Sequence, residues 1–96
     1  MLITLQISDA ARISYLELLQ WYDEIDTKLS IQFADEYFQT LNKILQHPTH
    51  YSFIALNIRR CLFPKMKCMI LYEFKNNIVQ VLLVKDARSK PNKKFY

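Results

Sequence analysis

Two neighbouring arginines, Arg59 and Arg60, open the stretch RRCLFPKMKCMILYEF, and Lys65 and Lys67 follow around Pro64. Guanidinium groups grip phosphate and carboxylate oxygens through forked hydrogen bonds, and lysines add point charge. Cations grouped this way suit a polyanion such as RNA or DNA, or an acidic peptide. Farther along stand Arg88, then Lys93 and Lys94 beside Phe95 and Tyr96. Aromatic rings among cations suit stacking on bases; at a chain end they equally suit a frayed tail.

Other chemistry is thin. His47 and His50 are three residues apart but straddle Pro48, which takes them off a shared helix face. Cys61 and Cys68 lack a Cys-x-x-Cys spacing. No metal site and no cofactor are expected. The two cysteines read as small buried hydrophobes that face each other across a hairpin if Pro64-Lys65 is its turn. The acids Asp23, Glu24, Asp26, Asp35 and Glu36 read as a solvated helix face; Glu73 and Asp86 are the only acids after residue 50. Glycine is absent, which excludes a glycine-rich phosphate loop of the P-loop or Rossmann kind.

The charge is unevenly spread. Residues 1–50 carry three Lys/Arg against seven Asp/Glu, a net of −4; residues 51–96 carry ten against two, a net of +8. The second half therefore suits an acidic or polyanionic partner. With 51% hydrophobic and 23% charged residues in 96, the composition is that of one folded domain, 1–96, with a basic tail from about residue 87. No apolar run approaches the roughly 20 residues that span a bilayer, so no membrane association is expected. The opening MLITLQISDAAR lacks a signal-peptide pattern, and the chain reads as cytoplasmic.

These cations need elements to position them. Leu2–Ile7 alternates and reads as a strand. Ser8 or Asp9 then caps a helix whose apolar face is Ala11, Tyr15, Leu18, Tyr22 and Ile25. After a turn near Asp26-Thr27, a second helix carries the stripe Ala34, Tyr37, Phe38, Leu41, Ile44 and Leu45, and Pro48 ends it. Three strands follow, Asn57–Phe63, Met66–Phe74 and Ile78–Lys85, with Asn76-Asn77 as a two-residue hairpin turn.

The expected fold is α+β, in the order β-α-α-β-β-β. A helical hairpin covers one face of a small, mainly antiparallel four-stranded sheet. Along the third strand Lys67, Met69, Leu71 and Glu73 would face the open side, against Cys68, Ile70, Tyr72 and Phe74. Arg59 and Arg60, being adjacent, must point to opposite faces. One of them meets the helix side, snorkelling to its edge or pairing with an acid such as Asp23 or Glu24. The other joins Lys65, Lys67 and Arg88 on the open side.

From about Ala10 to Pro91 the chain resembles the RelE/ParE superfamily of type II toxin–antitoxin toxins. The matching pieces are WYDEI, IQFADEYFQTLNKILQHP, IRRCLFP, ILYEF and VLLVKDARSKP, in that order and spacing. The glycine usual between the helices is missing, and TKLS stands in its place. The resemblance implies a cognate antitoxin as partner, one that lays a helix or an extra strand across the toxin, with Met69 and Leu71 as exposed apolar contacts for it.

It also implies one of two activities. RelE-like toxins are ribosome-dependent mRNA endoribonucleases with a basic cluster on the second and third strands, a late arginine and a C-terminal tyrosine. With Tyr72 as anchor, Arg60 falls where one strand-two cation is expected, but Leu62 falls at the other and Met69 at the strand-three arginine. Arg88 lies near the late arginine's place and Tyr96 a few residues beyond the tyrosine's, so a ribonuclease would rest on Arg60, Arg88 and Tyr96. ParE-like toxins lack this set and resemble poisons of DNA gyrase that act by binding. RR-x-L-F-P and WY favour that branch, with Arg59, Arg60, Lys65, Lys67, Met69, Leu71, Arg88, Lys93 and Lys94 as the surface for target or antitoxin. A third reading is a degenerate toxin that only binds its antitoxin.

Overall fold

The computed structural model describes residues 2–88; the expectations placed on Lys93, Lys94, Phe95 and Tyr96 lie outside them. The elements are β1 (Thr4–Ile7), α1 (Asp9–Ile25), α2 (Thr27–Gln46), β2 (Ile58–Leu62), β3 (Cys68–Lys75) and β4 (Ile78–Asp86). The sheet order is β1-β4-β3-β2. β1 runs parallel to β4, and the two later pairings are antiparallel, as expected for consecutive hairpins. The expected α+β order is thus observed, with the helical hairpin over one face.

The helices begin where polar side chains satisfy free backbone amides. Ser8 caps α1 by accepting from the Ala11 amide at 3.0 Å. Asp26 alone separates the helices. Its amide closes α1 on the Tyr22 carbonyl, and its carboxylate caps α2 at the Lys28 amide. TKLS is therefore the first turn of α2, and extended backbone at Asp26 makes the bend without glycine. At the other tight turn Asn76 and Asn77 hold φ of 54° and 61°, the left-handed conformation that asparagine tolerates.

β4 carries an irregularity absent from the sequence reading. Leu71 pairs with Leu83 but Tyr72 pairs with Val81, so Leu82 is an extra, bulged residue. The bulge puts Val79, Val81 and Val84 together in the core, though 81 and 84 differ in parity. β1 stops at the level of Val81, and beyond it α1 serves the exposed edge of β4. The Ser8 hydroxyl donates to the Leu82 carbonyl at 3.1 Å, and the Val84 amide donates to the Ser14 hydroxyl at 3.0 Å. Two serines thus dock α1 onto the strand.

The core lies between the helices and the sheet: Ala11, Tyr22, Phe33, Tyr37, Leu41 and Ile44 meet Cys61, Cys68, Ile70, Tyr72, Val79, Val81 and Val84. Three expectations are corrected here. The α2 stripe is rotated, so that Phe33 is buried while Phe38 is exposed, and Ile25 of α1 is exposed as well. Glu36 is not a solvated acid but a buried one, 4% exposed.

Candidate target-binding surface

Strand register decides where the two arginines point, because residues paired across antiparallel strands share a face. Arg59 pairs with Tyr72, which is buried against the helices; Arg60 pairs with Leu71 on the opposite face. Arg59 is thus the arginine on the helix side. It makes no pair with Asp23 or Glu24. Its Nη1 donates to the carbonyls of Thr49 at 3.1 Å and Tyr51 at 2.7 Å, and its guanidinium lies 3.8 Å over the Phe53 ring. Asp23 instead accepts from the Ser30 hydroxyl at 2.8 Å. Arg59 therefore braces the segment between α2 and β2. Tyr72 adds to the brace by donating to the Pro48 carbonyl at 2.7 Å, and burial pushes its phenol up to about 12, keeping it a donor.

On the open face Arg60 is exposed, and its side chain makes no hydrogen bond or ion pair with another described residue. Leu62 pairs with Met69, and Met69 with Lys85, so the next row is apolar at two of three places. Leu71 and Leu83 pair beside Arg60. Leu71 is half-buried, but Met69 is only 8% exposed, which corrects its reading as an exposed contact. Lys67 and Lys65 are exposed at the β2–β3 turn. That turn is held from below by Glu36, which accepts from the amides of Lys65 at 3.0 Å and Met66 at 2.9 Å and from Gln32 Nε2 at 2.7 Å. Burial alone would raise the Glu36 carboxyl; the Met66, Gln32 and Lys65 donors and the Lys65 charge together hold it below the ordinary range.

Arg88 stands apart from these cations. Its Nε and Nη2 grip the two oxygens of Asp86 at 3.1 and 2.9 Å. Asp86 pairs with Cys68, whose side chain faces Tyr22 of α1, so this pair sits on the helix side of the sheet. Arg88 is thereby already engaged, and it holds the Asp86 carboxyl low against the opposing effect of burial.

The cysteines do not face each other. Cys61 pairs with Ile70, and the Phe63 amide donates to the Cys68 carbonyl, so the hairpin turn is longer than Pro64-Lys65 alone. Both thiols are free and buried, and burial pushes both up. Neither is expected to react with a disulfide reagent at neutral pH until denaturant is added; prompt labelling of the native protein would contradict their burial. No cluster of three or more metal-ligating side chains occurs among the described residues. No helix among them is long and apolar enough to cross a membrane.

No protein-family profile matches the chain, and no curated protein matches it in sequence. Solved structures do match in shape. A chain of the chromosomal ParDE TA system from P. aeruginosa superposes with a TM-score of 0.79 at 9% identity, covering 91% of this chain and 98% of that one. The intact E. coli RelBE toxin–antitoxin complex gives 0.59 at 13% identity, covering 91% and 99%. The isolated E. coli RelE toxin gives 0.58 at 13%, covering 93% and 88%. The fold is that of the ParE and RelE toxins.

Within this RelE/ParE fold the structure brings Arg60, Met69 and Leu71 to one sheet face, separates them from Arg59 and Arg88, and leaves Lys65 and Lys67 exposed on the β2–β3 turn. Two contributors escaped the sequence reading. Glu36 was hidden among exposed acids, and its partners lie 29 and 30 residues away. The other is the segment His50–Ser52, of which the sequence reading considers only His50, as a metal ligand. The Arg60 amide ties it to β2 by donating to the Ser52 carbonyl at 3.0 Å.

Proposed function

We propose that this protein is the toxin of a type II toxin–antitoxin system, of the plasmid-stabilisation kind. It is ParE-like, arresting growth in the cytoplasm by binding an essential target such as DNA gyrase and neutralised by a cognate antitoxin. The observation that carries the ParE-like choice is the apolar row on the open face. Leu62 and Met69 stand paired where a ribonuclease of this fold would set cations, and Arg88 is engaged by Asp86. Phosphodiester cleavage needs a group to take the 2′-hydroxyl proton and cations placed on the phosphate. A surface with one unengaged arginine beside leucines is better suited to docking than to that chemistry. The higher shape similarity to the ParDE chain points the same way.

Exposed, unengaged Arg60 favours the RelE-like alternative, in which the protein cuts mRNA on the ribosome. Purified protein, freed of antitoxin, is expected to leave mRNA intact on programmed ribosomes. Site-specific cuts that vanish in Arg60→Ala and Arg88→Ala would make it an enzyme. Binding of an antitoxin without growth arrest on expression would mark a degenerate toxin.

A further inference from the structure

Pro48 keeps His47 and His50 off a shared helix face, but the turn it makes brings the two side chains together. The His47 amide ends α2 by donating to the Lys43 carbonyl at 3.0 Å, and the His50 amide donates to the His47 carbonyl at 3.1 Å. His47-Pro48-Thr49-His50 is therefore one four-residue turn, closed between its first residue and its last. The middle of the turn is anchored from the sheet. Tyr72 donates to the Pro48 carbonyl at 2.7 Å, and Arg59 donates to the Thr49 carbonyl at 3.1 Å. The two imidazoles stand with ring centres 6.2 Å apart, and His50 packs edge-on against Tyr51 at 5.0 Å.

Both histidines are exposed, and neither ring makes a hydrogen bond with another described residue. Neutral imidazole is the commonest protein ligand for zinc and its neighbours in the transition series. Two imidazoles on one tetrahedral Zn²⁺, each nitrogen about 2.0–2.1 Å from the ion, have ring centres about 5 Å apart. The 6.2 Å seen here closes to that spacing by about 1 Å, within reach of small rotations of exposed rings on a fixed backbone. Lys43, one turn before His47, and Arg60, which shares a cleft with His50, make the surroundings basic. A hard cation held by charge, such as Mg²⁺, is disfavoured there. A borderline ion bound through directional bonds to nitrogen suits these donors.

We infer that His47 and His50 form a binding site for a borderline divalent transition-metal cation such as Zn²⁺, each imidazole giving one nitrogen. The hydrogen bonds that fix the turn hold both ligands before the ion arrives, so little order has to be gained on binding. Two nitrogens leave two positions of a tetrahedral ion open. Water fills them on a single chain; the same two histidines of a second copy would fill them in a metal-bridged pair. Neither activity proposed above is required for this site.

The test is an NMR titration of untagged, isotope-labelled protein with zinc chloride at neutral pH, read at the histidine rings. The chain has two histidines, so these signals report the turn and nothing else. Both rings are expected to shift along one saturation curve. His47→Ala should weaken the response of His50 about 100-fold or more, exceeding the loss of an outer-shell contact, and His50→Ala should do the same to His47. Magnesium chloride should shift neither ring. Both rings are exposed, so preserved amide dispersion in each variant checks the fold. Saturation at one Zn²⁺ per chain, with the mass in sedimentation unchanged, identifies water as the completing ligand. Saturation at one per two chains, with the mass doubled, identifies a second copy. Absence of shifts with zinc, separate saturation of the two rings, equal shifts with magnesium, or an unchanged response of one ring without the other would overturn the inference.

Discussion

Phe33→Ala is expected to lower the unfolding free energy by about 4 kcal/mol, the cost of emptying an aromatic site that cannot collapse. Phe33 is fully buried, and its ring stands 5.4 Å from Tyr15, 5.3 Å from Tyr22 and 5.5 Å from Phe63. It joins α1, α2 and Phe63, the residue after β2, in one cluster, so all three lose contacts together. A domain of this size holds about 5–15 kcal/mol in total, so such a loss removes about a quarter of it or more. Phe38, one face round and exposed, is the matched control: Phe38→Ala should shift stability by under about 0.5 kcal/mol. Denaturant melts of both variants check the rotated α2 face directly. Equal losses would mean that the stripe through Phe38 is the buried one after all.

The second large effect is at Glu36. Removing its carboxylate in Glu36→Ala strands the Lys65 and Met66 amides in a part-buried site, and about 3 kcal/mol is expected to go with them. Glu36→Gln should cost only about 1 kcal/mol. One oxygen still receives both amides, and Gln32 can turn its own carbonyl toward the new amide nitrogen. The pH dependence separates the two roles of this side chain. A carboxyl held below its unfolded value contributes stability that is present above that value and is lost as pH falls through the folded one. Wild-type stability should therefore fall on acidification below the ordinary carboxylate range. Glu36→Gln should flatten that fall, leaving the part due to Asp86, which is depressed by Arg88. An unchanged acid limb in Glu36→Gln would show that the clasp is not ionised in the folded state. Because Glu36 seats the turn that carries Lys65 and Lys67, loosening it should also weaken any partner held by those lysines.

The element order was legible because each signal was local. Ser8 and Asp26 are side-chain caps, Pro48 stops a helix, and Asn76-Asn77, between two strand-like runs, tolerates the positive φ of a tight turn. The details that failed depend on distant partners. In α2, apolar residues at 31, 33, 34, 37, 38, 41, 44 and 45 form a band wider than one face, so periodicity alone could not choose Phe33 over Phe38. In β4 the run VQVLLV is apolar at both parities, which hides the bulge at Leu82 until the register with β3 is known. The arginine pair was legible as a pair and not as two roles. The carbonyls that engage Arg59 belong to a segment whose path no sequence signal describes. Met69 was read by alternation as an open-face residue, which the pairing with Leu62 and Lys85 supports; its burial there follows from packing that alternation does not report.

The proposed toxin acts by binding and not by cutting RNA. The most direct test is the purified, antitoxin-free protein added to DNA gyrase with relaxed plasmid. A ParE-like toxin is expected to abolish supercoiling and accumulate cleaved plasmid, with reversal by the cognate antitoxin. Unimpaired supercoiling, from protein that instead cuts mRNA on programmed ribosomes, would contradict it and make Arg60 part of a ribonuclease site.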